Sequence, residues 1–259
     1  GVDYIIPNYD YIKTNIKRIK GIFITHGHQE HMGALCDILK DIPKIKVYGT
    51  KFTLEIIKDE LSEEKLPLDS LVEITPHKKI SFGKVSVFPI SLTHTVPDAV
   101  GYVINTKDGA IFYTGNFMFD STMLGAYKTD IGKLAYVGKQ GVLCLLSESL
   151  YADKQGFTSP AHRTSRMVSE ILNHYDGRIL YNIYQAQLHR IQELFNEVML
   201  TDRKVVIMGK ALENLILKSI DMNYIKFDKK RIYNIHHVTD PKVVVLVSDE
   251  REKPFSNLK

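Results

Sequence analysis

The sequence predicts an α/β protein, with a β-rich first part followed by a doubly wound parallel α/β unit. Three observations predict this class. Alternating apolar strands dominate from residue 71 to about 115. After residue 141, apolar strands alternate with amphipathic helices, a rhythm that favours a parallel sheet with right-handed crossovers. The 259 residues are 44% hydrophobic and 25% charged, which is ordinary for a globular chain large enough to bury a core.

The first part mixes short strands with helices. Gly21-Ile22-Phe23-Ile24 is an apolar, strand-like run, and Pro43 ends a segment with helical apolar spacing. Asp108-Gly109 is a hairpin signal between two alternating strands. The predicted elements are strands at 21–24 and 46–49, helices at 32–42 and 51–61, and strands between 71 and 115.

The second part has a different pattern of predicted strands and helices. The continuous apolar run at 141–147 predicts a strand buried on both faces. Helices are predicted at 159–174, 186–199 and 212–222, and strands at 178–184, 204–208 and 242–248. We place the division between the two parts at residue 150.

Bulk properties narrow the classes of function. The net charge of +4 permits a polyanionic partner without requiring one. Cys36 and Cys144 lie in apolar contexts, which predicts buried free thiols in a reducing compartment. The sequence has neither a secretory apolar segment nor a run of transmembrane length, so we expect a cytoplasmic protein without membrane association.

The strongest local signal is the segment ITHGHQEHMGA, which carries the spacing His26-x-His28-x-x-His31 directly after a predicted strand. A loop at a strand end can direct several imidazoles at one point, as a metal ion requires. A lone histidine is usually structural, but three at this spacing favour a metal site.

Two later residues share the strand-end context. His94 follows the apolar run FPISL, and Asn116 follows the second strand of the hairpin. If these strand ends converge, His26, His28 and His94 form a three-nitrogen face for one zinc- or manganese-like ion. Glu30 and His31 would begin a second site. A two-metal site suits phosphodiester hydrolysis, because it polarises a phosphoryl oxygen and activates a water.

At this point the chain resembles a known family. GIFITHGHQEH resembles the GIF[LI]T-HGHEDH signature of the bacterial ribonuclease J family, whose members are metallo-β-lactamase/β-CASP nucleases. Further motifs match in order: the histidine stretch HTVPDAVG at 94–101, TGNFMFD at 114–120, LLSES at 145–149, and GRI with HRIQ at 177–179 and 189–192.

This resemblance implies an αββα metallo-β-lactamase sandwich, partial in this chain, with an inserted β-CASP domain. We expect residues 1–150 in the first domain and 151–259 in the second. The opening strands would precede Gly1, and the rest of the sandwich and a C-terminal domain would follow Lys259. The implied cofactor is Zn²⁺ or Mn²⁺ in a two-metal site, and the implied substrate is RNA.

Residue roles follow from the matched positions. The resemblance implies metal ligation by His26, His28, His31, His94 and Asn116. It implies catalytic roles for Glu30 and His189, and substrate-binding or supporting roles for Glu148, Ser248 and Arg190.

Four departures from the family pattern together point to a weakened site. Glu30 replaces an aspartate and is one methylene longer, and Glu148 replaces another aspartate. Asn116 replaces the bridging aspartate, and an amide oxygen is a poorer bridge than a carboxylate. The phosphate-gripping loop TTGSQGEP is VSDEREKP at 247–254, whose acidic side chains would repel phosphate. We therefore expect the first metal position to fill more readily than the second.

The leading hypothesis is a degenerate, low-activity paralogue of this family that acts in RNA processing and decay. It would cleave RNA weakly by 5′-to-3′ exonuclease or endonuclease action, in a hetero-oligomer with an active homologue or as a homodimer. The alternative is a non-catalytic RNA-binding scaffold for that homologue. A small-molecule hydrolase would use the same loop chemistry, but it would not need the inserted α/β unit.

Overall fold

The chain divides into two units, Gly1–Phe157 and Thr158–Lys259. The computed structural model describes residues 4–150, 152–156, 163–184 and 187–249. In those ranges, no helix is both long enough and apolar enough to cross a membrane.

The first unit contains a three-stranded parallel sheet with one face covered by helices. Leu35, Leu39, Leu54 and Ile57 lie on the two covering helices and pack against Val47 of the sheet. The strands are β1 Ile22–Phe23, β2 Val47–Gly49 and β3 Leu71–Glu73, and the helices are α1 Asp10–Thr14, α2 Gln29–Met32, α3 Leu35–Asp41 and α4 Lys51–Glu63.

The helix predicted over 32–42 is correct from 35 to 41 but wrong at its start. The histidine loop runs directly into the short helix α2, which was not predicted. Gly33 separates α2 from α3, and an added Cβ there would stand 2.8 Å from the Gln29 carbonyl oxygen. The helical spacing of apolar residues in α3 therefore does not extend back into the histidine loop.

A five-stranded mixed sheet packs on the other face of the three-stranded sheet. Val87, Val100 and Tyr102 point to the layer that contains Phe23 and Tyr48. Residues on the opposite face pack against Val137 of the last helix in this unit. The elements are β4 Ile80–Phe82, β5 Val85–Ser91, β6 Val100–Asn105, β7 Ala110–Tyr113, α5 Ile131–Gln140 and β8 Cys144–Leu146. The layers run helix, sheet, sheet, helix, which confirms the predicted sandwich.

The predicted hairpin is confirmed, because β6 and β7 pair antiparallel and the Thr106 N–H donates to the Gly109 carbonyl oxygen at 3.1 Å. Helix α5 was not predicted, although its N-cap is readable: the Asp130 side chain accepts from the Lys133 N–H.

The prediction that 141–147 is buried on both faces is wrong. The strand is β8, at the edge of its sheet, and the exposed fractions of Leu143, Leu145 and Leu146 are 64%, 60% and 49%. Its apolar side chains lack a covering layer among the described residues. Cys144 is exposed for the same reason, contrary to prediction, whereas Cys36 is half-buried; both are free thiols.

The second unit is a four-stranded, wholly parallel sheet in the order β11-β10-β12-β9, as predicted for a doubly wound unit. Residues Val243 to Ser248 of β12, which lies between β10 and β9, are buried. The elements are α6 Arg163–His174, β9 Ile179–Tyr184, α7 Leu188–Met199, β10 Lys204–Met208, α8 Lys210–Asp221, β11 Ile232–Tyr233 and β12 Val243–Asp249. Residues 159–162 and 186 of the predicted helices lie outside the described ranges.

Candidate metal centre

Backbone hydrogen bonds fix the point from which the histidine loop leaves β1. The Tyr102 hydroxyl donates to the Ile24 carbonyl oxygen at 2.6 Å, and the Val100 N–H donates to the Thr25 carbonyl oxygen at 2.9 Å. Both donors belong to β6 of the other sheet. The two residues before His26 are therefore held by the neighbouring layer, and the loop starts from a defined position.

The structure brings His26, His28 and His94 together, as the strand-end argument predicts. One ring nitrogen from each of the three residues lies within 4.8 Å of the nitrogens of the other two. The Nε2 atom of His94 lies 3.1 Å from Nδ1 of His28, and the ring centroids of His26 and His94 are 4.5 Å apart. We call these three side chains the imidazole group. Their role as ligands stays a prediction.

Burial keeps the imidazole group neutral. His26 is completely buried, and burial lowers its pKa far below the usual range, with smaller contributions from the other histidines. Burial lowers the pKa of His94 to about 3. Neutral imidazole is the form that binds a metal ion, so the group needs no proton loss near pH 7.

One buried nitrogen of the imidazole group has no hydrogen-bond partner among the described residues. Nδ1 of His26 lies 3.0 Å from the Thr25 hydroxyl, whereas its buried Nε2 has no hydrogen-bond partner within the described residues. A buried polar atom without a partner is costly. The other two neutral imidazoles lie beside this ring, and three imidazole nitrogens are a donor set that suits Zn²⁺ or Mn²⁺. The residues therefore fit the metal that the fold implies.

A second group of polar side chains adjoins the first. The ring centroids of His31 and His26 are 4.1 Å apart, and His31 hydrogen-bonds the Asn116 side chain. Burial lowers the pKa of His31, and the carboxylates of Glu30 and Glu148 oppose that shift. We call His31, Asn116 and Glu148 the amide group, because its central residue is an amide.

Gly115 and Glu148 hold Asn116 in this position. Gly115 has a φ of +61°, and an added Cβ would stand 2.9 Å from the side chain of Thr25. The Oε1 atom of Glu148 accepts a hydrogen bond from the Phe117 N–H at 2.6 Å. The close approach of the backbone at position 115 to Thr25 therefore requires glycine. Glu148 orients the segment that carries Asn116.

Glu30 stands beside the imidazole group rather than inside it. Its side chain is 51% exposed, and its Oε1 lies 3.8 Å from Nδ1 of His28, beyond hydrogen-bond distance. The preceding Gln29 hydrogen-bonds Glu60 of α4, whose pKa is raised to about 7, chiefly by burial. Glu60 was not predicted as a site residue, because nothing in the sequence pairs positions 29 and 60.

The three remaining predicted residues belong to the second unit. His189 and Arg190 open α7 and share one carboxylate: the Glu193 Oε2 lies 2.8 Å from Nη1 of Arg190 and 3.8 Å from Nδ1 of His189. Glu193 is buried and was missed, although its helical spacing from both residues could have identified it. Ser248 on β12 is buried, and its hydroxyl has no partner among the described residues. Residues 250–254 of the predicted acidic loop lie outside those ranges.

A histidine cluster at the strand ends of an αββα sandwich defines a protein of the metallo-β-lactamase superfamily. The family model described as "Beta-lactamase superfamily domain" matches residues 7–131. A second model, described as "Ribonuclease J, beta-CASP domain", matches residues 176–259. The chain belongs to the ribonuclease J family.

Curated relatives agree with both models. The chain is 35% identical to "Ribonuclease J 1" of Streptococcus pyogenes over 88% of its own length and 41% of the relative's. It is 32% identical to "Ribonuclease J 2" of Staphylococcus epidermidis over 100% of its own length and 47% of the relative's. The chain therefore spans less than half the length of these relatives.

A solved structure shares the fold. "Crystal Structure of a Protein of Unknown Function from Enterococcus faecalis V583" superposes with a TM-score of 0.61 at 15% sequence identity, over 89% of this chain and 59% of that one. At this identity the likeness concerns the fold alone.

Proposed function

We propose that this protein is a metal-dependent ribonuclease of low activity that works in RNA processing or decay. The observation that carries the proposal is the imidazole group: three neutral imidazoles with one nitrogen of each within 4.8 Å of the others, and a buried His26 Nε2 without a partner among the described residues. The family models and the names of the relatives supply the substrate class, RNA. The low activity rests on Asn116 at a position where the family has an aspartate.

In this proposal His26, His28 and His94 would hold the first ion, Zn²⁺ or Mn²⁺. A bound divalent ion would polarise a phosphoryl oxygen and lower the pKa of a water. The Thr25 hydroxyl, 3.0 Å from Nδ1 of His26, would fix the tautomer that leaves Nε2 as the ligand atom.

The amide group would bind a second metal ion poorly. His31 and Asn116 would offer one nitrogen and one neutral oxygen, and Glu148 would orient the Asn116 segment through the Phe117 N–H. The exposed carboxylate of Glu30, whose Oε1 lies 3.8 Å from Nδ1 of His28, would accept a proton. His189 and Arg190 would contact RNA, with Glu193 fixing both side chains. Ser248 would support the substrate strand.

The test uses the full-length protein with manganese and 5′-monophosphorylated RNA. His28→Ala should abolish cleavage, whereas His236→Ala, at an exposed histidine of the second unit, should leave it unchanged. Cleavage that survives in His28→Ala would sink the catalytic proposal. End-labelled substrates would separate exonuclease from endonuclease products.

The second candidate is a non-catalytic RNA-binding scaffold, and Asn116 is the observation that favours it. It predicts purified protein without stoichiometric metal, and an Asn116→Asp variant no more active than the wild type. We propose that in either role the protein acts in the cytoplasm, in a complex with an active homologue or with itself. Co-purification with that homologue, compared with the mass of the protein alone in solution, distinguishes the two assemblies.

A further inference from the structure

Five basic side chains are exposed at the N-terminal ends of β1 and β2, whereas the histidine loop follows the C-terminal end of β1. We call them the basic edge: Lys17, Arg18, Lys20, Lys44 and Lys46.

Backbone contacts bring the two segments of the basic edge together. The Ile22 N–H donates to the Lys46 carbonyl oxygen at 2.8 Å, and β1 pairs with β2 in the register Ile22 to Val47. Arg18 lies only four residues before Ile22, so its Cα is within about 15 Å of the Cα of Ile22. Ile19, Ile22, Ile45 and Val47 pack into the core under α3 and α4. The basic residues between them are left at the surface.

The basic edge is not neutralised by the described residues. Lys46 donates to the Asp69 carbonyl oxygen at 2.9 Å, but none of the five side chains forms an ion pair with a described residue. Nearby lysines behave differently, since Lys13 pairs with Asp41 and Lys40 pairs with Glu64.

The five positive charges lie on two short segments, 17–20 and 44–46, that the pairing of β1 with β2 brings together. Like charges held close together repel, and a polyanion that binds them releases counterions and relieves that repulsion.

We propose that the basic edge binds the phosphate backbone of single-stranded RNA at a position separate from the metal centre. The proposal rests on the proposed function for its choice of RNA. Lys20 and His26 are six residues apart on one strand and its loop, a span of at most about 22 Å. A short stretch of one RNA strand can therefore cover both, so the basic edge would hold substrate that the metal centre cuts.

The experiment measures equilibrium binding of single-stranded RNA by fluorescence anisotropy, with chelator present so that cleavage does not intervene. The full-length variant carries K17Q, R18Q, K20Q, K44Q and K46Q. The matched control replaces five other exposed lysines of the first unit: K78Q, K79Q, K84Q, K133Q and K139Q. Both variants lose the same net charge, so the comparison isolates position.

We expect the basic-edge variant to lose affinity by about tenfold or more near 0.1 M salt, and the control to lose less than about threefold. The slope of log affinity against log salt should fall by up to about 3.5 in the variant, at about 0.7 for each phosphate that the protein no longer neutralises. Equal affinity and equal slope in the two variants would overturn the proposal. Binding through this edge to phosphatidylserine vesicles, with RNA affinity unchanged, would overturn it in favour of a membrane surface.

A measurement on the wild-type protein guards against misfolding of the variant. Bound RNA should protect the four lysines of the basic edge from acetylation, read by mass spectrometry, and leave Lys84 and Lys139 reactive. Equal protection at both sets contradicts the proposal. The two proposals fail separately: His28→Ala reports on cleavage and should keep RNA affinity, whereas the basic-edge variant reports on affinity.

Discussion

The imidazole group and the amide group lie side by side, yet they are built from different chemistry. His26, His28 and His94 offer three neutral nitrogens, and the shared cause of their lowered pKa values is burial. His31 and Asn116 offer one imidazole and one amide, and the carboxylate of that group, Glu148, already accepts from the Phe117 N–H. The first group therefore offers three imidazole nitrogens, whereas the second has a neutral amide at the position of Asn116.

This difference implies an order of metal binding. A single divalent ion at the imidazole group needs no compensating anion, because neutral imidazoles are sufficient ligands for zinc in proteins. A second divalent ion would be repelled by the first, and Asn116 provides no charge to offset that repulsion. The comparison predicts one tight and one weak metal position.

The largest expected effect comes from His26→Ala. It removes the buried ligand and should lower affinity for the first ion by more than about 100-fold, beyond the effect typical of residues around the ligands. Isothermal titration with Zn²⁺ measures the change, and His174→Ala on an exposed helix position is the control. Retained affinity would mean that the ion is held elsewhere.

Asn116→Asp should narrow the difference in metal affinity between the imidazole group and the amide group. The new carboxylate adds a negative charge beside His31, so we expect about tenfold tighter binding of the second ion, or about 1.4 kcal/mol. Asn105→Asp, at the exposed end of β6, is the matched control. A second ion that binds no better in Asn116→Asp would show that geometry, rather than charge, limits this position.

Glu148→Gln should act on the amide group alone. The amide oxygen of glutamine can still accept from the Phe117 N–H, but that hydrogen bond loses its charged acceptor. We expect the second ion to bind about threefold more weakly and the first ion to be unaffected. An equal loss at both positions would show that the two groups are not independent.

The sequence predicted the imidazole group well and its surroundings poorly. Strand ends and histidine spacing were sufficient for His26, His28 and His94, because a loop that leaves a strand end has few directions to follow. The contact between Gln29 and Glu60 could not be predicted, because it depends on the packing of α4 beside the loop.

The error at β8 has a related cause. An apolar run indicates that a strand will be covered, but it does not say which segment of the protein covers it. Leu143 and Leu145 are exposed because the described residues provide no layer on that strand. Periodicity predicts local elements, and only tertiary placement decides which faces are buried.

The smallest expected effect is the response of the first metal position to acid. A histidine of ordinary pKa, near 6.5, would be protonated at pH 5.5 and would release its metal ion. Because the pKa of His94 is about 3 and that of His26 is lowered further, both rings stay neutral there. We therefore expect affinity for the first ion to change by less than about twofold between pH 7.5 and 5.5, and a steep loss would contradict the burial argument.

The folding stability of the metal-free protein, unlike its metal affinity, should depend strongly on pH. The unfolded chain takes up protons on these histidines near pH 6.5, whereas the folded chain does not, so folding stability should fall as the pH drops below about 6.5. The expected slope is about 1.4 kcal/mol per pH unit for each buried histidine. Glu60 acts the other way, because its pKa of about 7 means that the folded state binds that proton first. Urea unfolding of Glu60→Gln across this range isolates the histidine contribution, and a flat profile would show that the rings titrate normally.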